Sequence, residues 1–96
     1  MDALTIKLPA ELEISEVAQY HTTLVEMLSK LDPQQNIQID ASELWRVDTA
    51  GIQLLVALVS EASTQNRQLS WQKKSVELTE CAQRLGLSDI LLIANS

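Results

Sequence analysis

Residues 46–55 read Arg46-Val47-Asp48-Thr49-Ala50-Gly51-Ile52-Gln53-Leu54-Leu55. An extended apolar end, Leu44–Val47, runs into two strong N-cap types, and an apolar helix begins at once. Strand, tight turn and helix without a linker is the signature of an α/β unit. Side-chain oxygens of Asp48 or Thr49 can accept the unpaired N–H groups of the first helical turn. Gly51 allows the backbone to turn, or to pack closely without a Cβ clash. The free N–H groups and the positive dipole end also suit an anion, including a phosphate carried on a hydroxyl. Thr49 is the only hydroxyl in the turn and is expected to point inward as a cap. The plainer alternative is that Asp48-Thr49 is only a cap before a core helix.

Working outward, Ile52–Ala62 is helical, with a mild polar strip of Gln53, Ala57, Ser60 and Thr64. Upstream, Leu4–Leu8 alternates apolar and polar as a half-buried strand does, and Pro9 interrupts it. Ala10–Ile14 is read as a second strand in a hairpin. Ser15 is read as the N-cap of a helix with Glu16 in its first turn. Val17, Tyr20/His21, Leu24, Leu28 and Leu31 form its apolar stripe, and Asp32-Pro33 stops it. Asn36–Asp40 alternates again. Downstream, Leu69–Gln72 is a strand centred on Trp71. Ser75 caps a helix over Val76–Leu85, which Gly86 ends with Leu87 as its hydrophobic contact. Ile90–Ile93 is expected to be a final strand. The order β(β)αβαβα(β) predicts a single α/β domain over residues 1–96, with a mixed or parallel sheet and helices on one side.

Composition excludes several classes of function. Apolar residues are 46% of the 96 and charged residues 21%, ordinary for a globular chain. The net charge is −6, and all of the excess lies before residue 49. Nucleic-acid binding needs clustered basic charge, and an anionic membrane surface repels such a chain. The N-terminus lacks a basic region and a long apolar core, so no signal peptide is expected. The longest apolar run, Leu54–Val59, is far short of the ~20 residues a membrane helix needs. A cytoplasmic protein is expected.

One cysteine, Cys81, and one histidine, His21, cannot build a metal site, and the three aromatics (Trp45, Trp71, Tyr20) line no cofactor box. No metal and no cofactor are expected. His21 reads as a packed or half-exposed histidine, Cys81 as a small buried apolar residue, and Lys73-Lys74 as a solvated loop. An enzyme with Asp48 or His21 as base would need a second catalytic group, and the sequence places none beside either.

Taken together, Ile37–Asp40, then Val47-Asp48-Thr49-Ala50-Gly51-Ile52, then Arg84-Leu85-Gly86-Leu87 resemble the STAS domain family, the anti-sigma factor antagonists and their relatives. The likeness runs from Leu4 to about Ile93. It implies a four- to five-stranded mixed sheet with three or four helices on one face, and a protein-binding regulatory module that is not an enzyme. Asp48, Thr49, Ala50, Gly51 and Ile52 are then the partner-binding residues. In the sporulation-type antagonists the phosphorylated serine stands immediately before the glycine. Ala50 holds that place here and cannot be phosphorylated, which leaves Thr49 as the candidate phosphoacceptor. The Asp-Thr-small-Gly form also resembles the STAS subunit of Mla-type lipid-transport ABC complexes, which binds the ATPase subunit. STAS proteins encoded among chemotaxis genes are a third related group. The implied partner is accordingly a regulatory protein of the anti-sigma or kinase-like kind, or an ABC ATPase subunit.

Overall fold

The computed structural model describes residues 3–32 and 35–92. Its elements are β1 (Leu4–Lys7), β2 (Glu11–Leu12), α1 (Ile14–Ser29), β3 (Ile37–Asp40), β4 (Arg46–Val47), α2 (Thr49–Thr64), β5 (Leu69–Lys73) and α3 (Val76–Arg84).

Alternation decides the sheet. Leu4, Ile37 and Leu69 stand in one cross-strand row and Ile6, Ile39 and Trp71 in another. These rows face the core, whereas Thr5, Gln38 and Ser70 form a polar row on the other face. Strand order is β1-β3-β5, with both pairings parallel. A second, two-stranded parallel sheet joins β2 to β4, pairing Glu11 with Arg46 and Leu12 with Val47. All pairings are parallel, one of the two arrangements the element order allowed, and the mixed sheet of four or five strands that the resemblance implied is corrected to two parallel sheets of three and two strands among the described residues. Three helices accompany them.

The expected hairpin is absent for a local reason. Pro9 has no N–H to donate and ends β1, so the chain crosses to β4. There the carbonyl of Ala10 accepts the N–H groups of Trp45 and Arg46 at 2.9 and 3.2 Å. Only Glu11–Leu12 of the anticipated strand is paired as a strand.

Ser15 does not cap α1. Glu13 is the N-cap, and its N–H donates to the carboxylate of Glu16 at 2.9 Å in a capping-box arrangement. Ser15 becomes the second helical residue and donates its hydroxyl to Glu16. The α1 stripe buries Leu24 and partly buries Val17, Tyr20, Met27 and Leu28, whereas His21 is exposed; Leu31 packs on the core from just beyond the helix. The helix ends at Ser29, before the expected Asp32-Pro33 stop, and Pro33 lies outside the described residues.

The third helix forms as read. Ser75 Oγ accepts from the N–H of Leu78 at 3.1 Å, and Gly86 takes φ 70°. Leu87 then donates to Ala82 and Gly86 to Gln83, the two bonds of a Schellman end. Asn66, at φ 59°, does the same for α2, with Arg67 donating to Ala62.

The expected strand at Ile90–Ile93 is corrected to a turn over 90–92. Leu92 sits at φ 66°, a conformation no strand residue adopts, and Ile93 lies outside the described residues. Leu91 is buried instead, and its carbonyl accepts the indole N–H of Trp71 at 2.7 Å. Ile6, Leu12, Ile37, Ile39, Leu44, Ile52, Leu55, Leu78 and Leu91 fill the centre of one core.

Candidate functional site

The site is the junction where β2 and β4 hand over to α1 and α2. Asp48 is the N-cap of α2, with extended backbone. Its Oδ1 accepts the N–H of Gly51 at 3.1 Å, and its Oδ2 accepts the N–H of Ile14 at 3.0 Å. Ile14 is the first residue of α1. One carboxylate therefore caps two helices, each through an N–H with no partner inside its own helix. Its charge also suits the positive dipole end of both.

Gly51 is buried for a steric reason. A Cβ there would lie 2.1 Å from the carbonyl oxygen of Leu12 and 2.9 Å from Val47 Cγ2. Of the two roles open to this glycine, close packing is the one it fills. The first turn of α2 rests directly on the β2 backbone, which seats Ile52 in the core with no exposed surface.

Thr49 departs from expectation. Asp48 supplies the cap, so Thr49 is the first helical residue and is exposed. Ala50 beside it is partly buried. Of the five sequence-derived site residues, Asp48, Thr49 and Ala50 therefore form the accessible turn, while Gly51 and Ile52 hold it from beneath.

Two neighbours were invisible to local sequence reading. Ile14, tied to Asp48 through its backbone, leaves 73% of its surface exposed, and Trp45 on the approach to β4 leaves 57%. The Arg46 guanidinium lies 5.6 Å from the Trp45 ring centroid and bridges Glu11 at 3.2 Å and Glu13 at 3.3 Å. These are half-exposed pairs, each worth under about 1 kcal/mol. The signal that could have located Ile14 is the spacing of Glu13 and Glu16, a capping box that makes Ile14 the first helical residue.

Carboxylates outnumber bases here. Glu11, Glu13, Glu16 and Asp48 face the single Arg46. The Ser15 hydroxyl, helped by the N–H of Glu13, holds the Glu16 carboxyl below the usual range. Burial pushes the Cys81 thiol of α3 up, and the charge of Asp48 acts in the same direction against Arg84. Among the described residues no group of three or more His, Cys, Asp or Glu side chains is placed to hold a metal ion. No described helix is long and apolar enough to cross a membrane.

A family model described as "Mlab, STAS domain" matches residues 1–93 of the chain. No curated protein and no solved structure gives a significant match. The match spans nearly all 96 residues and includes the whole two-helix junction. The chain belongs to the STAS domain family.

Proposed function

We infer that this protein is a non-enzymatic docking module that binds a partner protein through the turn at Asp48, Thr49 and Ala50, with the buried Gly51 and Ile52 supporting it from beneath rather than touching the partner. The observation that carries the reading is the double cap. Both oxygens of Asp48 are occupied by backbone N–H groups, which fixes the turn and leaves Thr49 exposed beside the apolar Ile14. A rigid, accessible turn flanked by exposed apolar side chains suits protein recognition, because little ordering entropy is lost on binding. The same geometry weighs against a general base. Both carboxylate oxygens of Asp48 are engaged by backbone N–H groups, and His21 lies exposed on α1, outside the junction.

The partner we favour is the ATPase subunit of an Mla-type ABC lipid transporter. The matching family description carries the name Mlab, in line with the resemblance to the STAS subunit of such complexes, and Ala50 removes the acceptor on which the sporulation-type switch depends. Binding would then be constitutive.

A regulatory partner, an anti-sigma factor or a GHKL-type kinase, is the second reading, and the exposure of Thr49 favours it. A phosphate there would add about −1.5 to −2 charges beside Asp48 and Glu16 and so repel an acidic or apolar partner face.

Affinity purification of the natively expressed protein, with intact-mass analysis, separates the two. Stoichiometric recovery of an ABC ATPase with unmodified protein is the expected result. Recovery of a kinase with a species about 80 Da heavier, mapping to Thr49, would replace it with the switching reading.

A further inference from the structure

A second contact surface adjoins the turn without being part of it. Glu16, Gln19, Tyr20 and Thr23 stand at i, i+3, i+4 and i+7 along one face of α1. Pro9 and Glu11, on the link from β1 into β2, border the same groove, whose volume is about 190 Å³. Small-molecule pockets run to about 300–1,000 Å³, so this groove is sized for one long side chain rather than a cofactor. Its walls are mainly apolar, with the Pro9 ring and the half-buried Tyr20 among them. The Tyr20 hydroxyl donates to the Lys7 carbonyl at 3.3 Å, which holds the ring against the end of β1.

Charge selects what enters. Glu11 and Glu16 both line the groove, and no lysine or arginine does. Among the described residues Glu16 forms no ion pair. Its carboxylate is fixed in place by the N–H of Glu13 at 2.9 Å and by the Ser15 hydroxyl. Glu11 has to share Arg46 with Glu13, at 3.2 and 3.3 Å, and Arg46 itself stands outside the groove. An excess of negative charge therefore remains at the apolar slot. Arginine matches such a slot best. It combines an apolar stem, a planar cation that stacks on an aromatic ring, and a fork of donors suited to carboxylates. Lysine offers a more strongly hydrated point charge and no fork.

We propose that this groove receives an arginine side chain of a partner protein. Glu16 lies in the first turn of α1, whose Ile14 N–H is held by Asp48, so the groove borders the surface at Asp48, Thr49 and Ala50. Its occupation does not depend on what that surface binds. The contact is half-exposed, so it governs orientation and salt-dependent association more than affinity.

The test is a titration of ¹⁵N-labelled full-length protein with the capped tripeptide acetyl-Gly-Arg-Gly-amide. The expected result is weak, saturable binding, with shift changes centred on Glu11, Glu16, Gln19, Tyr20 and Thr23. The same tripeptide with citrulline, which nearly keeps the shape and loses the charge, should bind about fivefold more weakly or worse. Glu16→Gln should weaken the arginine peptide to a similar extent, and glutamine still serves in the capping box, so the fold is kept. Glu11→Gln, at an exposed position, is the second variant and should act in the same direction.

The proposal is overturned if the citrulline peptide binds as well as the arginine one, or if the shifts fall elsewhere. It is overturned if both folded variants bind as wild type does. A lysine peptide that binds as tightly would show a site for any cation and overturn the choice of arginine. Free arginine, which carries its own carboxylate, should bind more weakly than the capped peptide. Tighter binding of the free amino acid would assign the groove to a small molecule and overturn it as well.

Discussion

Oδ2 of Asp48 accepts the N–H of Ile14 at 3.0 Å across a sequence separation of 34 residues. The other oxygen meanwhile closes the first turn of its own helix on Gly51. The carboxylate thus sets the distance and angle between the starts of α1 and α2, and with them the shape of the surface around Thr49. Removing it loses two charge-assisted caps, one of them at an exposed residue. Asp48→Ala should cost about 2–3 kcal/mol. Asp48→Asn keeps one acceptor oxygen but turns an amide donor toward the other N–H, and should cost about half as much. Urea denaturation of the two variants checks the order, which inverts if charge near the other carboxylates outweighs capping.

The two glycines make a controlled pair. At Gly51 an added Cβ meets the Leu12 carbonyl at 2.1 Å, so α2 must lift from β2. Gly51→Ala is expected to lower stability by about 2–4 kcal/mol, even though alanine is the better helix former by about 1 kcal/mol. At Gly86 nothing lies within 4 Å, and only the φ of 70° opposes a side chain. Gly86→Ala should therefore cost only about 1 kcal/mol. Melting temperatures resolve the difference, since 1 kcal/mol moves a domain of this size by roughly 4–8 °C. A smaller loss at Gly51 than at Gly86 would contradict the close approach.

The protein has one tyrosine, so its titration can be read without ambiguity. Burial pushes the Tyr20 phenol up from 10.0 to about 12. The folded chain keeps the proton that the unfolded chain gives up, so stability is fully present below pH ~10 and falls as pH rises from ~10 towards ~12. Tyrosinate absorbance should rise with a midpoint near 12 in buffer and near 10 in denaturing urea. Equal midpoints would show that the ring is not desolvated. Tyr20→Phe should remove this tyrosine's contribution to the alkaline loss.

What the sequence made legible was whatever a segment decides by itself. Ile37–Asp40 and Leu69–Gln72 alternate strictly, Ser75 and Gly86 bracket α3, and Asp48 before an apolar run announces a cap; all form as read. The failures lie where tertiary contacts choose between equivalent local options. Glu13 and Ser15 can each start α1, and the Ile14–Asp48 bond selects the earlier start. Glu11–Leu12 could pair with β1 or cross to β4, and Pro9 together with the Ala10 carbonyl sends it across. Asp48 and Thr49 are both capping types, and only the second helix shows why the carboxylate, with two acceptors, takes the position. Leu91 has the hydropathy of a strand residue, yet it is buried in a turn because its carbonyl holds the Trp71 indole. Trp45 offers no local reason to be exposed at the candidate site, and Ile14 offers only the Glu13–Glu16 spacing that makes it the first residue of α1.

Because Asp48 does the capping, Thr49 is free to vary without loss of fold. Thr49→Ala should change stability by less than about 0.5 kcal/mol, the range of an ordinary surface substitution. A loss above about 1 kcal/mol would return the hydroxyl to the cap. Ala50→Ser places a hydroxyl directly before Gly51, and a family kinase should label that variant better than the wild type in vitro. Equal labelling of both would make Thr49 the true acceptor.

The docking role of the turn is tested most directly by titration calorimetry of the purified partner against wild type and Thr49→Glu. The substitution adds one negative charge at the exposed first residue of α2, where a helix tolerates it well. Its urea midpoint should therefore match the wild type's. Affinity for the partner should fall about tenfold or more, as expected for a charge placed inside a protein interface. Unchanged affinity in a variant with an unchanged urea midpoint would show that the partner binds elsewhere on the molecule.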